Sequence, residues 1–180
     1  MDSAVWAVVI FPAFQPAERQ AIDRIRAAYD PLAAVIEPHI TLVFPFETTI
    51  TPESLRAHMW QAVESVVPFE IELRGVTGQE NEWLFLNVKR GNDQIVALHD
   101  RLYRGPLAPH YKPRYSYMPH LTVGHVTPGE PFETALGEAA SLIATFKTTV
   151  RAITAYRIAT PGDRSEQYHV PLPAAGQKDS

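Results

Sequence analysis

The sequence predicts an α+β domain: two β-α-β-α-β units in tandem, with mostly antiparallel strands around a central cleft. Three observations predict it. The hydrophobic pattern switches from strand to helix and back in the same order twice. The chain has 180 residues, 46% of them hydrophobic, enough to bury a core of its own. And Pro-His-(Ile/Leu)-Thr occurs once in each half, with His39 and His120 81 positions apart, an internal repetition that signals a duplicated architecture.

The elements follow in order. AVWAVVIF (4–11) is β-branched and aromatic and stops at Pro12, the pattern of a buried strand. Pro16 suits a first helical position, and Ala21, Ile25, Ala28 and Tyr29 share one face, so 16–30 is a helix. PHITLVF is the second strand. Thr51 before Pro52 and Glu53 starts a helix that Leu55, Met59, Val63 and Val66 continue. Residues 69–76 alternate apolar and polar, a half-buried strand.

The order then recurs. EWLFLNVKR (82–90) is a strand. Asn92 caps a helix with Ile95, Leu98 and Leu102 on its stripe and Gly105 as its stop. PHLTVGHV is a strand, and 132–146 is a helix through Leu136, Ala140 and Ile143. Residues 148–160 read as one long strand and 166–172 as a last one, joined through PGDRS, with 173–180 a frayed tail. No linker interrupts the chain. One domain over 1–180 is expected, with lobes over about 1–80 and 81–172 meeting near 77–81.

A net charge of −4 and a pI of about 6.0 argue against a general duplex-binding surface, which needs a basic excess. A single phosphate needs only a local pocket. The absence of cysteine excludes disulfides, thiolate zinc sites and a thiol nucleophile. The N-terminal apolar run lacks a basic lead, and no apolar stretch approaches the ~20 residues of a membrane span. A cytoplasmic monomer without membrane partners is expected.

Strand alternation gives the two repeats their chemistry. In HITLV, His39 and Thr41 share one face while Ile40 and Leu42 take the other. In HLTVG, His120 and Thr122 pair in the same way. If a two-fold relates the halves, two imidazoles and two hydroxyls surround one void. Of two imidazoles near neutrality, one can accept a proton while the other donates one. Threonine hydroxyls can hold phosphoryl oxygens. The reaction that fits is phosphodiester cleavage, above all the opening of a cyclic phosphate, with no metal or cofactor required. HxH, HExxH, GxSxG and phosphate-loop patterns are missing from the sequence.

HITL and HLTV, one in each half of a chain of this size, resemble the motifs of the 2H phosphoesterases, the group of the 2′-5′ RNA ligase-like proteins and the RNA 2′,3′-cyclic phosphodiesterases. The resemblance implies a bilobal LigT-like fold with the motifs facing across a cleft. It implies a small cyclic nucleotide or an RNA terminus as substrate, and 2′-5′ ligation as the reverse reaction. Residue by residue, it implies His39 and His120 as the acid–base pair and Thr41 and Thr122 as phosphate ligands. His39 is assigned as general acid and His120 as the base. RNA-processing members often carry Arg five residues after the second motif's His; here that slot is His125, a weaker phosphate ligand. The alternative is a module that binds a nucleotide or RNA end in the same cleft without turnover.

Five further residues are candidate substrate contacts. Lys112, Arg114, Tyr115 and Tyr117 lie in a basic, aromatic stretch before the second motif, where cations could meet phosphate and a ring could stack on a base. His125 is the fifth, although simple alternation from His120 turns it away from the cleft. His58 and His99 read as partly exposed helix residues, and His110 and His169 belong to no pattern. Trp6, Trp60 and Trp83 read as packing residues.

Overall fold

The computed structural model describes residues 4–158 and 167–174. Eight antiparallel strands form one sheet in the order β6-β3-β4-β5-β2-β1-β7-β8. The first repeat is β1 (Ala4–Ile10), α1 (Pro16–Tyr29), β2 (Ile40–Thr48), α2 (Pro52–Val63) and β3 (Phe69–Gln79). The second is β4 (Trp83–Arg90), α3 (Asn92–Leu102), β5 (His120–His125), α4 (Phe132–Ala139) and β6 (Phe146–Val150). β7 (Ala152–Ile158) and β8 (Gln167–Pro171) complete the sheet. The predicted repeat is therefore present element for element.

The two motif strands meet in the middle, where Ile40 pairs with Leu121. On one side of this junction lie β2, β1, β7 and β8; on the other lie β5, β4, β3 and β6. The chain thus crosses twice. β3 leaves the first repeat to pair with β4 and β6, and β7 returns to pair with β1. The point near 77–81 separates the repeats along the chain, but it does not separate the halves of the sheet. The expected single strand over 148–160 is broken at Arg151 into β6 and β7, which lie far apart in the sheet order. PGDRS falls outside the described residues.

The helices cover one face. α1 packs on β5, α3 on β2, α2 on α3 and β8, and α4 on α1 and β3. Each half of the sheet is thus roofed by one helix from each repeat. Ile40, Leu42, Leu121 and Val123 are fully buried beneath them, as the alternation predicts. α2 ends at Val63, so Val66 of the expected stripe lies past it, and two further helices differ from expectation. α3 is capped by Gly91 at φ 86°, with Asn92 the first helical residue, because β4 turns directly into the helix through a left-handed position that glycine adopts without strain. α4 stops at Ala139, seven residues short of the expected end. Of the expected stripe beyond it, Ala140 is exposed and Ile143 is 85% exposed, so the apolar spacing there does not mark a buried stripe.

At Gly124 α1 lies close over β5. A Cβ there would lie 3.0 Å from Tyr29 Cβ and 2.9 Å from Leu84 Cδ1. Gly124→Ala must push helix and strand apart, at a cost of about 1–3 kcal/mol. The urea midpoint is expected to fall at unchanged m; an unchanged midpoint would contradict this contact.

Candidate active site

The face of the sheet away from the helices carries both motifs. The Ile40–Leu121 pair brings His39 and Thr41, on either side of Ile40, beside His120 and Thr122, on either side of Leu121. Alternation puts all four side chains on the same, open face. All four are half-buried. The four residues the sequence singles out thus come together at one junction.

Both histidines are held in the same way. His39 Nδ1 lies 2.8 Å from the Glu37 carbonyl oxygen, and His120 Nδ1 lies 2.7 Å from that of Met118. Each Nδ1–H donates to the carbonyl two residues upstream, which selects the tautomer whose Nε2 is free for a ligand. Each ring also rests on an aromatic neighbour. His120 stacks on Phe85 at 3.8 Å, and His39 meets Phe11 edge-on at 6.1 Å.

Burial pushes both imidazoles below the ordinary histidine value, against the opposing pull of the carbonyl bonds. At His39 the nearby charges of Arg26 and His120 push the same way. The Arg26 guanidinium lies beneath the loop leading to the first motif. It bonds Asp30 at 2.9 Å and the Ile36 carbonyl at 2.8 Å. Arg26 and Asp30 are both almost fully buried.

His125 is where alternation misleads. The register between β4 and β5 slips by one residue, so that Phe85 pairs with Thr122 but Trp83 pairs with His125. This bulge at Val123–Gly124 returns His125 to the face of His120 and Thr122. Its ring lies flat on Trp83, at 3.9 Å and 4°, and Glu82 is 3.9 Å away. Trp83 and Phe85 thus line the open face beside the second motif. Residue-type propensity gives no sign of this; only the bulge, hinted at by Gly124, does.

The basic, aromatic stretch divides. Lys112, Arg114 and Tyr115 are exposed, with the Arg114 guanidinium over the Tyr115 ring at 4.9 Å. Tyr117 turns inward. Its hydroxyl donates to the Thr41 carbonyl at 2.8 Å, so it is engaged by the first motif's backbone rather than open to substrate.

The other histidines serve packing or the rim. His58 and His99 are buried, not partly exposed, because helix packing leaves them facing main-chain oxygens: Leu102 O lies 2.8 Å from His58 Nε2 and Leu42 O lies 2.8 Å from His99 Nδ1. His169 lies 2.8 Å from the hydroxyl of buried Thr154, and His110 packs on Phe46. Trp6 is core as expected, whereas Trp60 is 41% exposed. No helix among the described residues is long and apolar enough to cross a membrane.

The chain is similar to a Bacillus pumilus protein named "Putative phosphoesterase", 28% identical over 135 residues, covering 73% of this chain and 76% of the relative. A Geobacillus kaustophilus protein, "Putative phosphoesterase GK0864", is 30% identical over 131 residues, covering 71% and 72%. The fold is shared with E. coli LigT complexed with 3′-AMP (TM-score 0.61, 17% identity, 96% and 97% of the two chains) and with Kluyveromyces marxianus Usb1 (TM-score 0.57, 13% identity, 94% and 98%). The family model of the 2′-5′ RNA ligase superfamily matches residues 13–161, and with both of its His-x-Thr strands inside that span, the chain belongs to that superfamily.

Proposed function

We propose that the protein is a metal-independent phosphodiesterase that opens 2′,3′-cyclic phosphates on small nucleotides or RNA ends. The observation that carries this is the juxtaposition of two imidazoles at the β2–β5 junction, each with its Nδ1 on a carbonyl and its Nε2 free. Thr41 and Thr122 flank the place a phosphoryl group would take. In the forward direction, His120 Nε2 removes a proton from water as its oxygen attacks phosphorus. The bond to one ribose oxygen breaks, and protonated His39 supplies that oxygen's proton. The same step with a ribose hydroxyl in place of water joins the cyclic phosphate end to that hydroxyl: the hydroxyl oxygen bonds phosphorus, the 3′ oxygen leaves with the proton from His39, and the product is a 2′-5′ linkage.

The depressed imidazoles set the pH dependence. The general acid must carry a proton, and its free-enzyme pKa lies below the ordinary ~6.5. kcat/KM, which reports the free enzyme, should therefore fall as pH rises, with its alkaline limb below 6.5. A bound phosphodiester anion favours the imidazolium, so the limb for kcat should lie higher. This places the bell on the acid side of neutrality. A kcat/KM limb above pH 7 would contradict the burial of these rings.

The direct test is turnover of a nucleoside 2′,3′-cyclic monophosphate with chelator present and no metal added. Nucleotide binding without turnover, on mononucleotides and on RNA bearing a cyclic phosphate end, would replace this reading with that of a binding module.

A further inference from the structure

Among the described residues, Ile40–Leu121 is the single ladder pair joining β2 to β5. Past it the strands part, and the main-chain groups of β2 on that side are met by side chains from the second repeat. The Thr41 carbonyl accepts from the Tyr117 hydroxyl at 2.8 Å, and the Leu42 carbonyl accepts from His99 Nδ1 at 2.8 Å. Further along, the Phe44 N–H donates to the Tyr103 hydroxyl at 3.1 Å. Tyr117 and His99 lie flat on one another, at 3.6 Å and 6°. Burial keeps the Tyr117 phenol protonated far above neutrality, so its hydroxyl remains a donor.

We infer that Tyr117 and His99 are positioning residues, a strap by which the second repeat sets where Thr41 stands relative to His120. The segment 117–120 touches both motifs. At one end Tyr117 holds the Thr41 carbonyl, and at the other His120 is braced on Met118. At the corresponding position of the first repeat the contact is a different one. The residue 81 positions before Tyr117 is Ile36, whose carbonyl is bonded by Arg26 of the same repeat. The two halves are therefore equivalent in strands and motifs but not in what steadies them, which distinguishes the surroundings of His39 from those of His120.

The inference rests on the reading of the junction as a phosphate site, and the test separates the two. Tyr117→Phe keeps the ring on His99 and removes one hydrogen bond. Tyr103→Phe removes a comparable bond in the same cluster, beyond the motif. Misplacement of a reacting group by about 1 Å can cost as much as about 100-fold. Tyr117→Phe should lower kcat/KM on a nucleoside 2′,3′-cyclic monophosphate by about 10- to 100-fold. Tyr103→Phe should lose stability to a similar degree and keep activity within about threefold of wild type. Equal activity losses in the two variants, or none in Tyr117→Phe, would reduce the strap to ordinary packing. If Tyr117→Phe does not fold, His99→Phe is judged by the same criterion; failure of both to fold makes the pair a folding element and overturns the inference. If wild type turns over no cyclic phosphate, inorganic phosphate is titrated while the imidazole resonances are followed. A joint response of His39 and His120 that loses its His39 component in Tyr117→Phe supports the strap without the reaction. Identical responses in both proteins, or none at His39 in wild type, overturn it.

Discussion

His39→Ala and His120→Ala are each expected to lose at least about 100-fold in kcat on a nucleoside 2′,3′-cyclic monophosphate, because each removes one proton transfer from the transition state. A factor of 100 corresponds to about 2.7 kcal/mol of barrier. The double variant should lose much less than the product of the single losses, since an acid without its base contributes little. Neither ring is in the hydrophobic core, and both face the open side of the sheet. Their removal should accordingly leave the fold intact, and circular dichroism with a urea midpoint near wild type checks this. Retention of more than a tenth of wild-type kcat by either single variant would remove that histidine from the chemistry. The pH limbs assign the roles: with His39 as acid, His39→Ala should lose the alkaline limb and His120→Ala the acid one.

The largest stability loss is expected at Arg26→Met. Arg26 is 2% exposed, and its guanidinium is bonded to Asp30 and to the Ile36 carbonyl. Methionine fills much of the volume but leaves the Asp30 carboxylate buried beside no cation. Breaking a buried pair from one side costs about 3–5 kcal/mol. For a domain of this size the melting temperature should fall by about 10 °C. The double variant Arg26→Met/Asp30→Leu should recover much of the loss, since replacing both partners removes the stranded charge. A single-variant loss below about 1 kcal/mol would show that Asp30 finds water or another partner. The change also reaches the site. Arg26 is one of the charges that depress His39, while Asp30 acts to raise it. Arg26→Met should therefore raise the pKa of His39, moving the alkaline limb of kcat/KM to higher pH.

The repeat and the four residues of the candidate site were legible from residue order alone. Strand alternation depends only on local backbone geometry, so His39 with Thr41 and His120 with Thr122 could be assigned to shared faces, and Ile95, Leu98 and Leu102 of α3 to the core; in α1 Ile25 is buried as read, but Ala28 is exposed and Ile22 and Arg26 complete the buried face. Local signals failed wherever a long-range choice intervened. The exchange of β3 and β7 between halves depends on which strand edge each one finds, and nothing in FEIELRGV or AITAYRI names that edge. The bulge at Val123–Gly124 breaks the period of two, and so turns His125 onto the open face against Trp83. Tyr117 lies among exposed aromatic and basic residues in sequence, yet packing on His99 draws it inward to the Thr41 carbonyl. Residue order supplied the chemical groups and their local facing. Their convergence at one junction, and the bonds that steady it, follow from hydrogen bonds and packing between segments some 60 to 80 residues apart, which no local pattern encodes.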